Sequence, residues 1–301
     1  MRPMRLQEPF RAVFYAPFYC ALARGDYAAE GVEVQLLPGE VPSLAKDAVL
    51  EGRAELAWGG PMRVLLAHGA NPASPLRNFG AVVLGDPFFL VGRAPRPGFS
   101  LRDLAGLKLG TVSEVPTPWW TLQQDIRAAG LDPTSIARVT DQPMAANLAA
   151  VDAGRLDVAQ VFEPLVSQME EQGSGHIWHA ASSRGPTAYT TFISTAEKLQ
   201  SHRTEFKAML RGLARTLGWF SDATPEQVAV MIADRFPDLP PTRLQRCIAR
   251  YKAAGLWTRD PHFPREPWDR LEHAMFTVGA IPREPGYENC VDDAIVTEAL
   301  A

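Results

Sequence analysis

Ala48-Val49-Leu50-Glu51-Gly52-Arg53-Ala54-Glu55-Leu56-Ala57 returns downstream as Ala150-Val151-Asp152-Ala153-Gly154-Arg155-Leu156-Asp157-Val158-Ala159. Each copy reads as the end of a helix, a Gly just past its cap, and an acidic-apolar strand that turns into a loop. Gly suits that place because a helix commonly stops on a residue at positive φ, which only Gly adopts without strain. Two copies are too few and too far apart for a solenoid. They predict two similar α/β lobes that face each other with a ligand between them.

Working outward from the first copy, Arg11 to Ala16 is a short β-rich run, and Pro17 favours the first turn of a helix that stops at Gly25. Val32 to Leu37 alternates apolar and polar residues as a half-buried strand does. Ser43 is placed to cap a helix that runs to Glu51, and Ala54 to Trp58 is the third strand. The order β-α-β-α-β implies right-handed crossovers and a parallel sheet. The second copy has the same surroundings: a strand at Leu107–Val112, a cap and first turn at Thr117-Pro118, a helix from Trp119 to Ala129, a strand at Ile136–Val139 and a helix from Met144.

Phe79–Leu84 and Phe88–Gly92 read as strands that carry the chain across, and Tyr189–Ser194 as the return. Helices over 198–222, 225–235, 241–254 and 266–278 are expected to pack back on the first lobe. Residues 1–94 and 188–301 then form a discontinuous lobe one, 95–187 form lobe two, and the ligand cleft lies between them.

The 301 residues suffice for a sizeable core, and 46% apolar with 21% charged residues is ordinary for a globular chain. A net charge of −4 and a pI near 5.9 argue against a nucleic-acid surface. The basic stretch Arg243 to Arg270 fits the wet side of C-terminal helices. Cys20, Cys247 and Cys290 are too scattered for a disulfide framework or a zinc signature. No apolar run approaches the ~20 residues of a membrane span, so direct membrane insertion is not expected. The first residues have no apolar signal-peptide region, so the chain as written reads as cytoplasmic; a mature exported form with a new Met1 would look the same.

Four segments in this order resemble the solute-binding family of nitrate, sulfonate, taurine and thiamine-pyrimidine uptake systems. They are Tyr19 to Leu36, "YCALARGDYAAEGVEVQL"; Gly52 to Ala57, with Glu55 where the family has Asp; Ser100 to Val112, "SLRDLAGLKLGTV"; and Gly154 to Pro164, "GRLDVAQVFEP". The resemblance covers most of residues 11 to 195. It implies a two-lobed type II periplasmic-binding fold, each lobe a mostly parallel sheet flanked by helices. It also implies a monomer that delivers a small molecule to an ABC permease. The same fold hosts enzymes, including a thiamine-pyrimidine synthase and small-acid decarboxylases, so fold alone does not fix function.

In open α/β sheets, ligands bind beyond the carboxyl ends of the strands. That rule selects Tyr15, Phe18 and Tyr19; Glu40 and Ser43; Trp58, Gly59, Gly60 and Arg63; Asp86 and Phe88; Ser113, Thr117, Trp119 and Trp120; Glu163; and Tyr189. A wall of Tyr15, Tyr19, Trp58, Phe88, Trp119 and Trp120 suits a flat, partly apolar ligand, although core packing explains any one ring equally well. Gly59-Gly60 beside Trp58 allows close backbone approach, or alternatively marks a strained turn. Helix N-termini near Pro17 and Thr117 favour an anionic group, and Arg63 reads either as a clamp for it or as a solvated helix-surface arginine. Glu163 reads either as an acceptor for a ring N–H or as a structural residue. Hinges are expected near Gly85-Asp86 and Tyr189-Thr190. Trp58→Ala is expected to weaken binding without unfolding the chain.

Catalytic signals are thin. His68 is a lone histidine, His176 and His179 have helical spacing without a carboxylate beside them, and Cys20 at the start of a helix is as readily a small buried apolar residue. No GxSxG, HExxH, GxxxxGK[ST] or GxGxxG is present, and no metal or cofactor is expected. The reading is a solute-binding protein for a small planar, aromatic or heteroaromatic and acidic ligand. The alternative is an enzyme on the same fold, with His68, Asp86, Glu114 and Glu163 as its acid–base candidates. A regulator's effector domain is a third possibility, weakened because no helix-turn-helix segment stands at the N-terminus.

Overall fold

In the computed structural model, residues 3–39, 41 and 44–301 are described; Glu40 and Ser43 lie outside them. The chain divides into two units, Met1–Gly85 with Pro186–Ala301, and Asp86–Gly185. In chain order the first unit contains β1 (Met4–Gln7), α1 (Ala16–Ala23), β2 (Val34–Leu37), α2 (Leu44–Leu50), β3 (Leu56–Gly59), α3 (Met62–Ala70) and β4 (Leu76–Val83). The second unit contains β5 (Phe89–Gly92), β6 (Lys108–Gly110), α4 (Thr117–Ala128), β7 (Ala137–Val139), α5 (Met144–Asp152), β8 (Val158–Val161), α6 (Leu165–Glu171) and β9 (His176–Ala180). The chain then returns to the first unit as β10 (Thr190–Thr195), followed by α7 (Ala196–Ser201), α8 (Arg203–Asp222), α9 (Pro225–Ile232), α10 (Pro241–Ala253) and α11 (Arg265–Thr277).

Each unit is built on a mixed five-stranded sheet, β2-β1-β3-β10-β4 in the first and β7-β6-β8-β5-β9 in the second. The β-α-β crossovers give parallel pairs, and the two strands that cross over, β10 and β5, lie antiparallel to both neighbours. Phe79, Phe192 and Phe206 pack together in the first core. Leu90, Leu104, Leu109, Leu122 and Ile126 are the centre of the second.

The repeated phrase folds the same way twice. Gly52 (φ +74°) and Gly154 (φ +68°) end α2 and α5 in the left-handed region, where a Cβ would strain the backbone. The amide of Ala54 donates to the Ala48 carbonyl at 3.0 Å, and that of Leu156 to the Ala150 carbonyl at 3.1 Å. These bonds satisfy helix-end carbonyls and aim the chain into the next strand.

The start of the chain differs from the sequence expectation. Arg11–Ala16 is not a strand: Val13–Tyr15 is a 3-10 turn leading into α1, with Pro17 in its first turn. Val13 to Ala21 are all buried, so neither a two-residue nor a helical period marks the segment. The strand is Met4–Gln7 instead, paired in parallel with both β2 and β3.

Candidate functional site

The carboxyl end of β3 organises the first unit's candidates. Trp58 is fully buried, stacked on Phe18 with ring centroids 4.7 Å apart and planes 5° apart. Tyr19 meets it edge-on at 5.7 Å and Tyr15 lies 5.9 Å away. Tyr189 joins the group through Phe14, at 6.0 Å. Gly59 and Gly60 are not at positive φ, so the strained-turn alternative does not apply. A Cβ on Gly60 would meet only Met62 Cγ at 3.4 Å and the Tyr189 carbonyl at 3.7 Å.

Arg63, on the first turn of α3, is only 9% exposed. Among the described residues its guanidinium has no hydrogen bond or ion pair, and Tyr15 and Asp47 act on it only at a distance. Burial draws its pKa below the ordinary guanidinium value, yet arginine starts so high that it stays cationic. A buried charge without a partner is costly and calls for a counter-charge. The solvated-surface alternative is therefore not what this arginine does.

One residue at this strand end escaped the sequence reading. Glu8 follows β1 and is 1% exposed. Its Oε1 accepts from Arg11 Nε at 2.9 Å and from the Tyr19 hydroxyl, and its Oε2 accepts from Arg11 Nη2 at 3.2 Å. The available signal was the strand-end rule itself, which points to Glu8 once Met4–Gln7 is taken as the strand.

In the second unit most candidates are occupied by partners within the unit. Asp86 is fully buried and accepts from Arg184 Nη1 at 2.5 Å, the Thr121 hydroxyl at 3.2 Å and the Phe88 amide at 3.0 Å. Arg184 also grips Asp125 on α4, with Nε–O distances of 2.9 and 3.1 Å. Glu163 caps α6, accepting the Ser167 amide and hydroxyl, each at 2.9 Å. Ser113 is exposed and donates twice to its neighbour Glu114, which also accepts the Met144 amide. Thr117 opens α4 rather than capping it; Trp119 and Trp120 are both half-buried, Trp119 under the Arg138 guanidinium at 4.1 Å. Phe88 packs edge-on to Phe162 at 5.1 Å. Gln160 is fully buried; its amide N donates to the Pro118 carbonyl at 2.8 Å while its Oε1 has no partner.

The catalytic candidates are each accounted for within their own unit. Burial pushes the Cys20 thiol up to about 12, away from a reactive thiolate. His68 is buried, its Nε2 2.9 Å from the Leu76 carbonyl, and burial lowers its pKa. His176 and His179 lie on β9, a strand and not a helix. Among the described residues no three His, Cys, Asp or Glu side chains stand together as a metal site.

Two α/β units on mixed sheets, the first completed by C-terminal helices, define a type II periplasmic-binding fold. The chain belongs to the NMT1/THI5-like family, which it matches over residues 14–227. It is 24% identical over 300 residues to YtlA of Bacillus subtilis (strain 168), which carries the name of a binding protein, spanning 99% of this chain and 90% of that one. Among solved structures it resembles the periplasmic aliphatic sulphonate binding protein SsuA from Escherichia coli, with a TM-score of 0.79, 15% identity and 99% of each chain covered. It also resembles the desulfurization enzyme DSZB in complex with biphenyl-2-sulfinic acid, with a TM-score of 0.73, 13% identity and 99% of each chain covered. At these identities the two structures speak for the fold.

Proposed function

We propose that the protein is a solute-binding protein for a small planar acid, aromatic or heteroaromatic, serving ABC-type uptake or sensing. One observation carries this reading: among the described residues Arg63 is a buried cation without a hydrogen-bonded counter-charge, in electrostatic reach of Tyr15 and so of the aromatic group around Trp58. A carboxylate or sulfonate would complete the arginine with paired, charge-assisted hydrogen bonds, and a flat ring would suit aromatic surroundings. The relatives' names agree in kind, since SsuA is named for aliphatic sulphonates and DSZB is solved with an aromatic sulfinic acid.

The proposed mode of action is hinge closure at the two chain crossings, near Gly85-Asp86 and Tyr189-Thr190, with the ligand favouring the closed state. Delivery to an ABC permease and a monomeric state belong to the same proposal; a thiamine-pyrimidine precursor, which carries no acid group, is the rival cargo. A thermal-shift screen of pyrimidines, aromatic acids, sulfonates, nitrate and taurine tests it. A true ligand at one hundred times its Kd adds about 2.7 kcal/mol of stability. A hit that stays intact by NMR supports binding; the absence of any stabilising acid refutes the reading.

The likeness to DSZB keeps a second reading in view, an enzyme on this scaffold. Consumption of the hit in the same NMR sample would establish it.

A further inference from the structure

Among the described residues, the end of β3 has buried polar groups without partners and no free carboxylate. The Trp58 indole Nε1 and the Thr190 hydroxyl are buried without hydrogen-bond partners. β10 runs antiparallel to β3 with Thr191 opposite Gly59, so Thr190 opens its strand beside the turn that leads to Arg63. Glu8, whose charge acts on Tyr15, is committed: both of its carboxylate oxygens are bonded, to Arg11 and Tyr19. Asp47, the carboxylate in electrostatic reach of Arg63, is paired with Lys46.

Formal charges lead the same way. Among the described residues, Glu8 is offset by Arg11, and Asp47 by Lys46, which leaves Arg63 as one unbalanced positive charge. A monoanion neutralises it. An ammonium carried on the same small ligand would bring back the imbalance and find no free carboxylate among the described residues, and an unpaired buried charge is strongly disfavoured.

We propose that this end of the first unit selects monoanionic head groups that carry no ammonium, with Arg63 as the counter-charge and Trp58 Nε1 and Thr190 Oγ1 as further donors. The proposal rests on the reading of the protein as a binder of small acids. Zwitterions of the amino-acid or aminosulfonate kind are then excluded by charge and not by size.

Calorimetric titration of the full chain with phenylacetate, mandelate and phenylglycine tests this. Mandelate and phenylglycine differ in bearing a hydroxyl or an ammonium at the same carbon. Phenylacetate and mandelate are expected to bind, and phenylglycine to bind at least about tenfold more weakly than mandelate. Thr190→Val, which keeps the side-chain shape, is expected to weaken phenylacetate about three- to tenfold with an unchanged melting temperature. Phenylglycine binding as tightly as mandelate, or Thr190→Val binding like wild type, overturns the selection while leaving acid binding intact. If neither phenylacetate nor mandelate binds, the selection is overturned, while the acid-binding reading is decided separately by the wider screen of acids.

Discussion

Asp157 accepts the backbone amide of Lys108 at 2.7 Å, and Glu55, its counterpart in the other copy of the repeated phrase, accepts that of Arg5 at the same distance. Each acidic side chain ties the start of its strand to the parallel neighbour. Each also donates its own amide to that neighbour's carbonyl, at 3.0 Å. The extra methylene of Glu55 lets it reach the Arg5 guanidinium as well, at 2.6 Å. Removing the carboxylate deletes a hydrogen bond at an exposed strand start, where water can replace it, so Asp157→Ala is expected to cost about 0.5–1.5 kcal/mol in urea unfolding, and Glu55→Ala, part-buried and also bonded to Arg5, at least as much. Equal stability of wild type and Asp157→Ala would show that the tie is incidental.

Trp58 bears on stability before it bears on binding. The ring is fully buried between Phe18, Tyr15 and Tyr19. Trp58→Ala is expected to cost about 3–5 kcal/mol, so its binding defect would be mixed with loss of fold. The Phe variant is the informative one, because it keeps the stack and deletes the N–H. Urea midpoints of the two variants check this.

Arg184 holds two carboxylates inside the second unit, one of them fully buried. Arg184→Met leaves Asp86 without its charge partner and is expected to cost about 3–5 kcal/mol. In an Asp86→Leu background the same substitution should cost clearly less, because the pair acts together. Additive costs in that double-mutant cycle would rule out the coupling.

Acid should loosen the fold through its buried imidazoles. Burial is the main cause that lowers the pKa of both His68 and His179; Asp86 and Asp125 oppose it at His179 while Arg184 adds to it. The folded protein therefore holds fewer protons than the unfolded chain below about pH 6.5, and stability is lost as pH falls from there. Melting temperature should drop between pH 7 and 5, and His179→Gln should flatten that drop. Parallel curves for the two proteins would place the titrating group elsewhere.

Local signals carried much of the fold. The Gly-terminated helix ends at Gly52 and Gly154, β2, β3, β8 and the long C-terminal helices were all legible from period and punctuation. β1 was not, because four residues with one clear alternation resemble an unstructured start, and with it went Glu8. The clustering of Tyr15, Phe18, Tyr19 and Trp58 followed from the strand-end rule. The lone burial of Arg63 did not follow, since "MRVLLAHGA" gives an arginine at a helix start no visible reason to be inside. Nor could Asp86 reveal its partner 98 positions away in Arg184, because long-range ion pairs leave no periodic trace.

Among the described residues Arg63 is buried and unpaired, and we propose that it is kept so for an anionic ligand. Arg63→Met measures this directly, by thermal unfolding with and without phenylacetate. A methionine removes the buried charge and keeps an unbranched apolar stem, so the ligand-free protein should melt no lower than wild type, and up to about 1–3 kcal/mol more stable. Its stabilisation by phenylacetate should vanish. A variant that melts well below wild type, or that is stabilised by phenylacetate as wild type is, would contradict the assignment.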